Sequence, residues 1–173
     1  MPRLDRSTAV LFVIDVQDKL MPVISNHKAI ERNIERLIRG AKILSVPIVV
    51  TEQYVKGLGH TVAPLRDALA GDYKPIEKAC FSGFRPLYRK QVIVAGIETH
   101  VCVYQTVSDL LANGYEVTIV ADAVSSRTEE NKDIALRRML ADGAKLSSTE
   151  MVLFELTAVS GTDEFRAISK LVK

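Results

Sequence analysis

Asp15, Lys78 and Cys102 are a carboxylate, an amine and a thiol, and each stands where an apolar run gives out. Asp15 closes the run Thr8–Ile14, in the fragment Ile14-Asp15-Val16-Gln17. Lys78 closes a short run near Pro75–Lys78, in Ile76-Glu77-Lys78-Ala79-Cys80. Cys102 follows the run Gln91–Ala95 and its terminating Gly96, in Gly96-Ile97-Glu98-Thr99-His100-Val101-Cys102. A thiol attacks as its thiolate, a carboxylate can take the thiol proton or activate water, and an ammonium can hold the carboxylate ionised and lower the thiol pKa. A helix starting at Thr99 or His100 would put Cys102 in its first turn. There the positive end of the macrodipole and free backbone N–H groups favour a thiolate and can hold an oxyanion. Each residue also has a plainer reading: Cys102 as a small buried hydrophobe, Asp15 as a capping or loop-ordering group, Lys78 as an exposed strand-end lysine. Only their joint placement makes the case for chemistry.

Other reactive side chains say less. Cys80 is two residues past Lys78, so in extended chain both point the same way; it could line a pocket or serve as a second thiol, with burial the expected state. His27 and His60 fall in loops or at helix starts, and His100 lies on a different helix face from Cys102. A cysteine–histidine dyad would need His27 or His60 to reach Cys102, which the sequence leaves open. No spacing of His, Cys and Asp reads as a zinc site, so no metal is expected. Gly57 and Gly59 sit between a strand and a short helix, but neither a dinucleotide-binding glycine fingerprint nor a Walker loop is present, and no cofactor is expected.

The elements that must position these groups alternate. Continuous apolar runs at Thr8–Asp15, Pro47–Thr51, Gln91–Ala95 and Tyr115–Ala121 read as strands covered on both faces, with briefer ones near Pro75–Lys78 and Ala144–Ser147. Helical spacing runs from about Lys28 to Leu44 through Ile30, Ile34, Leu37, Ile38 and Ala41, and returns around Pro64–Leu69 and from Thr99 to Ala112. A further helix opens at a Thr128 cap and runs through Ile134, Leu136, Met139 and Leu140 to Gly143, and one or two more close the chain. Strands joined by helical crossovers imply an α/β fold, a three-layer α/β/α sandwich with a mainly parallel, Rossmann-like central sheet of about six strands. In such sheets a ligand binds beyond the carboxyl ends of the strands, where strand order reverses. The three reactive groups all fall at that edge.

The 173 residues fit a single domain over 1–173. A net charge of +2, from 23 basic and 21 acidic residues spread along the chain, calls for neither nucleic acid nor a membrane surface. The stretch Ala9–Ile14 is far short of the roughly 20 residues of a membrane span, and no signal-peptide pattern opens the chain, so a cytoplasmic location is expected. Two cysteines cannot make a disulfide framework.

Together the residues resemble the isochorismatase-like cysteine hydrolases. The resemblance covers nearly the whole chain and rests on Phe12-Val13-Ile14-Asp15-Val16-Gln17, on Val50 to His60, on Glu77-Lys78-Ala79-Cys80-Phe81-Ser82, and on Ala95 to Val103. The segment from Val50 to His60 is most similar to the subgroup called isochorismatase domain-containing proteins, whose substrate is unassigned. The resemblance implies an Asp15–Lys78–Cys102 triad, a cis peptide between Ile97 and Glu98, and an oxyanion hole from the backbone N–H groups of Glu98 and Cys102. Gln17, Gln53, Tyr54, Phe81 and Thr99 would line the pocket. It further implies a homo-oligomer and hydrolysis of a small amide, ureido or related C–N substrate through a cysteine thioester. The nicotinamidase branch carries a metal-binding Asp and histidines where this chain has Glu52, Gln53 and Tyr54, so metal binding and nicotinamidase activity are not expected. True isochorismatases do not use this cysteine, which argues against that reaction. The connection Phe81–Lys90 is shorter than the family pattern and leaves room for a turn or two of helix. Two rivals stand beside the hydrolase: a non-catalytic scaffold that keeps the fold, and a thiol redox protein using Cys80 and Cys102.

Overall fold

The run at the start of the chain forms β1 (Ala9–Ile14), and all of its residues are buried. With a side-chain period of two, Ala9, Leu11 and Val13 enter one core cluster while Val10, Phe12 and Ile14 enter another. A strand of this kind is stable only at the centre of a sheet covered on both sides. The computed structural model, which describes residues 3–173, shows that sheet. Its other strands are β2 (Ile48–Gln53), β3 (Ile76–Lys78), β4 (Gln91–Ile97), β5 (Glu116–Ser125) and β6 (Lys145–Ser147). All pairings are parallel, in the order β3-β2-β1-β4-β5-β6. Order reverses between β1 and β4, so the crevice for a ligand opens at their carboxyl ends.

On one face lie α1 (His27–Ile43), α3 (Ala63–Leu69), α6 (Thr149–Thr157) and α7 (Asp163–Val172); Ile34, Leu37, Leu65, Leu153 and Ile168 pack there with the odd residues of β1. On the other lie α4 (Tyr104–Ala112) and α5 (Glu129–Ala141), which contribute Val107, Leu110, Ala135 and Met139. A four-residue helix, α2 (Val55–Leu58), stands on the loop after β2. The Thr128 hydroxyl accepts from the Asn131 N–H and caps α5 as its sequence predicts. Ile134 and Leu140, whose spacing suggested a buried stripe, are instead exposed, because α5 buries only the side carrying Ala135 and Met139.

The crossover from β3 to β4 contains no helix; residues 79–90 run in irregular conformation. Side chains from the neighbouring elements hold it. The Gly83 N–H donates to Thr106 Oγ1 (2.8 Å), Ser82 Oγ donates to Asp109 Oδ2 (2.6 Å), and the Leu87 N–H donates to the Tyr115 hydroxyl (2.7 Å). Phe84 and Leu87 lay their side chains on the cluster beneath, while Tyr88 is fully exposed.

Gly96 sits where the β4–β5 register slips, at φ 128°. A Cβ there would lie 2.2 Å from the carbonyl oxygen of Ile14, which is backbone of the central strand and cannot step aside. Gly96→Ala therefore costs at least about 2 kcal/mol in denaturant unfolding, from the strained φ and the collision together. It also pushes on the residue preceding Asp15. Unchanged stability would mean that β1 and β4 approach less closely than this.

Candidate active site

Strand order sets out the reactive groups along one rim: Lys78 ends β3, Gln53 ends β2, Asp15 follows β1, and Cys102 follows β4. Asp15 takes a left-handed backbone (φ 51°), one that aspartate tolerates better than most residues, as the chain turns out of β1. Its N–H donates to the Thr51 carbonyl (3.2 Å). Beyond β4 the Ile97–Glu98 peptide is cis. The predicted helix does not begin as an α-helix. Thr99–Val103 form a π turn before α4 takes over at Tyr104. The Glu98 carbonyl accepts from the N–H groups of Val101 (3.1 Å) and Val103 (3.2 Å), so the turn passes over the Cys102 N–H that an α-type bond would use.

Asp15 is wholly buried, and Lys78, its side chain only 9% exposed, donates to its Oδ2 at 2.5 Å. The other carboxylate oxygen accepts from the Thr51 hydroxyl (2.8 Å). The remaining protons of the ammonium go to the carbonyls of Phe81 (2.9 Å) and Cys80 (3.1 Å), with a longer contact to Gln53 Oε1 (3.4 Å). Cys102 is 6% exposed, and its Sγ–H donates to the same Gln53 Oε1 at 3.0 Å. These groups share one acceptor and one small volume.

The electrostatics reverse one expectation. The helix start and the lysine suggested a thiol pKa below its usual range, but the Cys102 thiol is pushed up to about 12. Burial is the largest cause and the Asp15 charge the next, and together they outweigh the opposing pull of Lys78. The sulfur rests as a thiol. Any attack by it needs a base to take the proton as the new bond forms.

The other predicted site residues separate. Gln53 reaches the cluster. Tyr54 and Phe81 are exposed at the rim, and a cavity of about 430 Å³ beside Lys78 is lined by Tyr54, Val55, Lys56, Glu77 and Ala79. The Tyr54 ring lies where a side chain on Gly57 would be, 2.2 Å from that position. Gln17 is not a pocket side chain. It is fully buried, its Nε2 donating to the carbonyls of Gln53 (2.9 Å) and Gly59 (2.6 Å) and its Oε1 accepting from the Gln53 N–H (2.8 Å). Thr99 is buried, and its hydroxyl has no hydrogen-bond partner among the described residues. Cys80 is exposed rather than buried, because the helix-free crossover carries it to the surface.

Glu52 is structural. Its buried carboxylate accepts from the Thr61 N–H and hydroxyl (both 2.7 Å) and the Tyr73 hydroxyl (2.5 Å), and meets His60 Nδ1 at 3.1 Å. Burial by itself would raise the Glu52 pKa, but these donors together bring it below its usual value. The Tyr73 hydroxyl is pushed up to about 12, first by its own burial and then by its bond to the Glu52 carboxylate. His60 is thereby turned toward Glu52, and His100 pairs with the Ser126 hydroxyl (2.9 Å). Thr51, which anchors Asp15, was missed. Its signal was positional: β2 pairs with β1 in register, placing Thr51 opposite Ile14.

Fold and rim define a doubly wound α/β protein with a buried carboxylate–ammonium–thiol cluster at its topological switch point. The isochorismatase domain matches residues 9–151, and the chain belongs to that family. It is 41% identical to the secreted isochorismatase effector Isc1 of Phytophthora sojae, over 99% of this chain and 87% of that protein. It is 36% identical to isochorismatase domain-containing protein 2A of Mus musculus, over 96% of this chain and 83% of that one. Its fold superposes on the MAR1 ribonuclease of Caenorhabditis elegans with a TM-score of 0.94 at 40% identity, covering 99% of this chain and 92% of the other. Among the described residues no helix is long and apolar enough to cross a membrane.

Proposed function

We propose that the protein is a cysteine hydrolase of small amide-like substrates, with Asp15, Lys78 and Cys102 as its catalytic groups. The observation that carries this reading is the buried Lys78–Asp15 pair at 2.5 Å, set beside a thiol that shares a hydrogen-bond acceptor with the lysine. Asp15 takes the Cys102 proton as the sulfur attacks the carbonyl carbon, and Lys78 holds the carboxylate in place. The developing oxyanion is received by the backbone N–H groups of Glu98 and Cys102. Asp15 returns the proton to the leaving nitrogen, giving a thioester. It then takes a proton from water as the water oxygen attacks the acyl carbon; the C–S bond breaks to release the acid, and Asp15 gives the proton back to the departing sulfur, restoring the thiol and the carboxylate. A protonated resting thiol suits this sequence, since the base is needed only while the substrate is bound.

Ribonuclease activity is a second reading, prompted by the name of the Caenorhabditis elegans relative. The burial of the cluster favours the first. Cys102 and Asp15 lie 6% and 0% exposed, which suits a small planar group more than a polynucleotide backbone.

The test is a screen of small amides, ureides and amidines for ammonia or amine release, beside single-stranded RNA, with the Cys102→Ala protein as control. Hydrolysis of a small amide that disappears in Cys102→Ala, with an acyl mass added to the Cys102 peptide of the wild type, is the expected result. Cys102→Ala folds normally, since it truncates one small side chain. Full turnover in Cys102→Ala overturns the nucleophile. RNA cleavage with no amide turnover overturns the substrate class.

A further inference from the structure

The carboxamide of Gln53 stands between the thiol and the ammonium, and it is held there from behind. The Gln17 side chain bonds the Gln53 backbone on both sides, accepting from its N–H (2.8 Å) and donating to its carbonyl (2.9 Å), much as a neighbouring strand would. The Gln53 side chain then presents Oε1 to the Cys102 Sγ–H (3.0 Å) and to Lys78 Nζ (3.4 Å). A carboxamide whose oxygen faces an ammonium cannot turn its nitrogen there without opposing two donors, so the Lys78 contact fixes which end meets the sulfur. Asp15, whose oxygens accept from Lys78 and Thr51, also lies within interacting reach of the sulfur, but as a charged group. Gln53 is therefore a neutral acceptor in direct reach of the sulfur.

We propose that Gln53 is a positioning residue for Cys102: its Oε1 takes the Sγ–H bond and holds the sulfur protonated and in one orientation until Asp15 draws the proton away. Gln17 is its support. This rests on the hydrolase reading for its catalytic consequence, but the hold on the thiol is a property of the free protein. The charged groups facing the sulfur are Asp15 and Lys78, and both variants below leave them in place.

The test is iodoacetamide alkylation of Cys102 in a Cys80→Ser background, where it is the sole thiol of the chain. At alkaline pH below the thiol midpoint, the rate follows the thiolate fraction. Gln53→Leu removes an acceptor that favours the neutral sulfur and raises the rate about threefold or more, whereas Gln53→Glu keeps an acceptor, adds a negative charge, and lowers it by a similar factor or more. General loosening of the site would move both variants the same way. Opposite shifts support the proposal; shifts of one sign, or wild-type rates in both, overturn it. Because alkylation needs no substrate, opposite shifts with no hydrolysis of any amide would retain Gln53 in this role and remove only the hydrolase reading. If Gln53→Leu fails to fold, the near-isosteric Gln53→Glu decides alone: an unchanged or faster rate overturns the proposal.

Discussion

Lys78→Met lowers the free energy of unfolding by about 3–5 kcal/mol in urea or guanidinium titrations, because it leaves the Asp15 carboxylate buried without its cation. The methionine fills nearly the same volume, so packing contributes little to the loss. Asp15 is 0% exposed and its remaining side-chain donor is the Thr51 hydroxyl, a neutral group too weak to replace an ammonium at 2.5 Å. The double variant Asp15→Asn/Lys78→Met regains much of the loss, because it removes both charges together. The coupling read from the four proteins is about 2 kcal/mol or more, larger than for exposed ion pairs. On the proposed mechanism activity does not return with stability, since the proposed base is gone. A Lys78→Met loss under about 1 kcal/mol would mean that the pair behaves as a solvated surface contact, and the triad assignment would lose its physical basis.

The stability of this pair also explains how its members could be read from the chain at all. A charged residue closing a run as apolar as Ala9–Ile14 must find a partner when the strand is buried, and a parallel sheet supplies partners only from neighbouring strand ends. The register delivers them. Gln53 pairs with Lys78 between β2 and β3, and Ile14 with Thr51 between β1 and β2, so one rim collects Asp15, Thr51, Gln53 and Lys78. The strands themselves were legible for the same reason, because fully buried strands are apolar throughout. The α5 cap at Thr128 was legible because it depends on residues close in sequence.

What stayed hidden depends on groups far apart in the chain. The thiol of Cys102 lies one helical turn from a strand end, and local reasoning pointed to a lowered pKa. Its burial comes from the cluster formed with Val103, Val107, Val94 and Ile14, and its largest electrostatic opponent is Asp15 from another strand. Gln17 was expected in the pocket because the family resemblance implies it there. The loop after β2, however, folds back so that the Gln53 and Gly59 backbone meets it, and an isolated bridge pairs Gln17 with Thr61. The exposure of Cys80 and the loss of a helix from residues 79–90 follow from a crossover held by Thr106, Asp109 and Tyr115, none of which is near it in sequence.

Asp15→Asn separates the two roles that the proposed mechanism gives to one carboxylate. In the resting protein Asp15 opposes the thiolate, since its charge is the second-largest reason the Cys102 pKa stands near 12, while Lys78 favours the thiolate. Removing the charge leaves the ammonium unopposed, so the thiol pKa falls and alkylation of Cys102 by iodoacetamide, in a Cys80→Ser background, becomes faster. Iodide leaves without a proton, so alkylation reports the thiolate alone. Hydrolysis moves the other way. In the proposed mechanism the substrate's nitrogen must be protonated to leave and the thioester needs an activated water, and without Asp15 both steps lose their proton carrier. The expected fall in kcat/KM is about 10²–10⁴-fold, the range that general acid–base groups supply. Disorder would also expose the buried sulfur, speed its alkylation and abolish turnover, so both rates are read on Asp15→Asn protein whose circular dichroism and urea midpoint show it folded under the assay conditions. If both rates rise, Asp15 serves only to restrain the thiol. If both fall together, its part is to shape the site rather than to move protons.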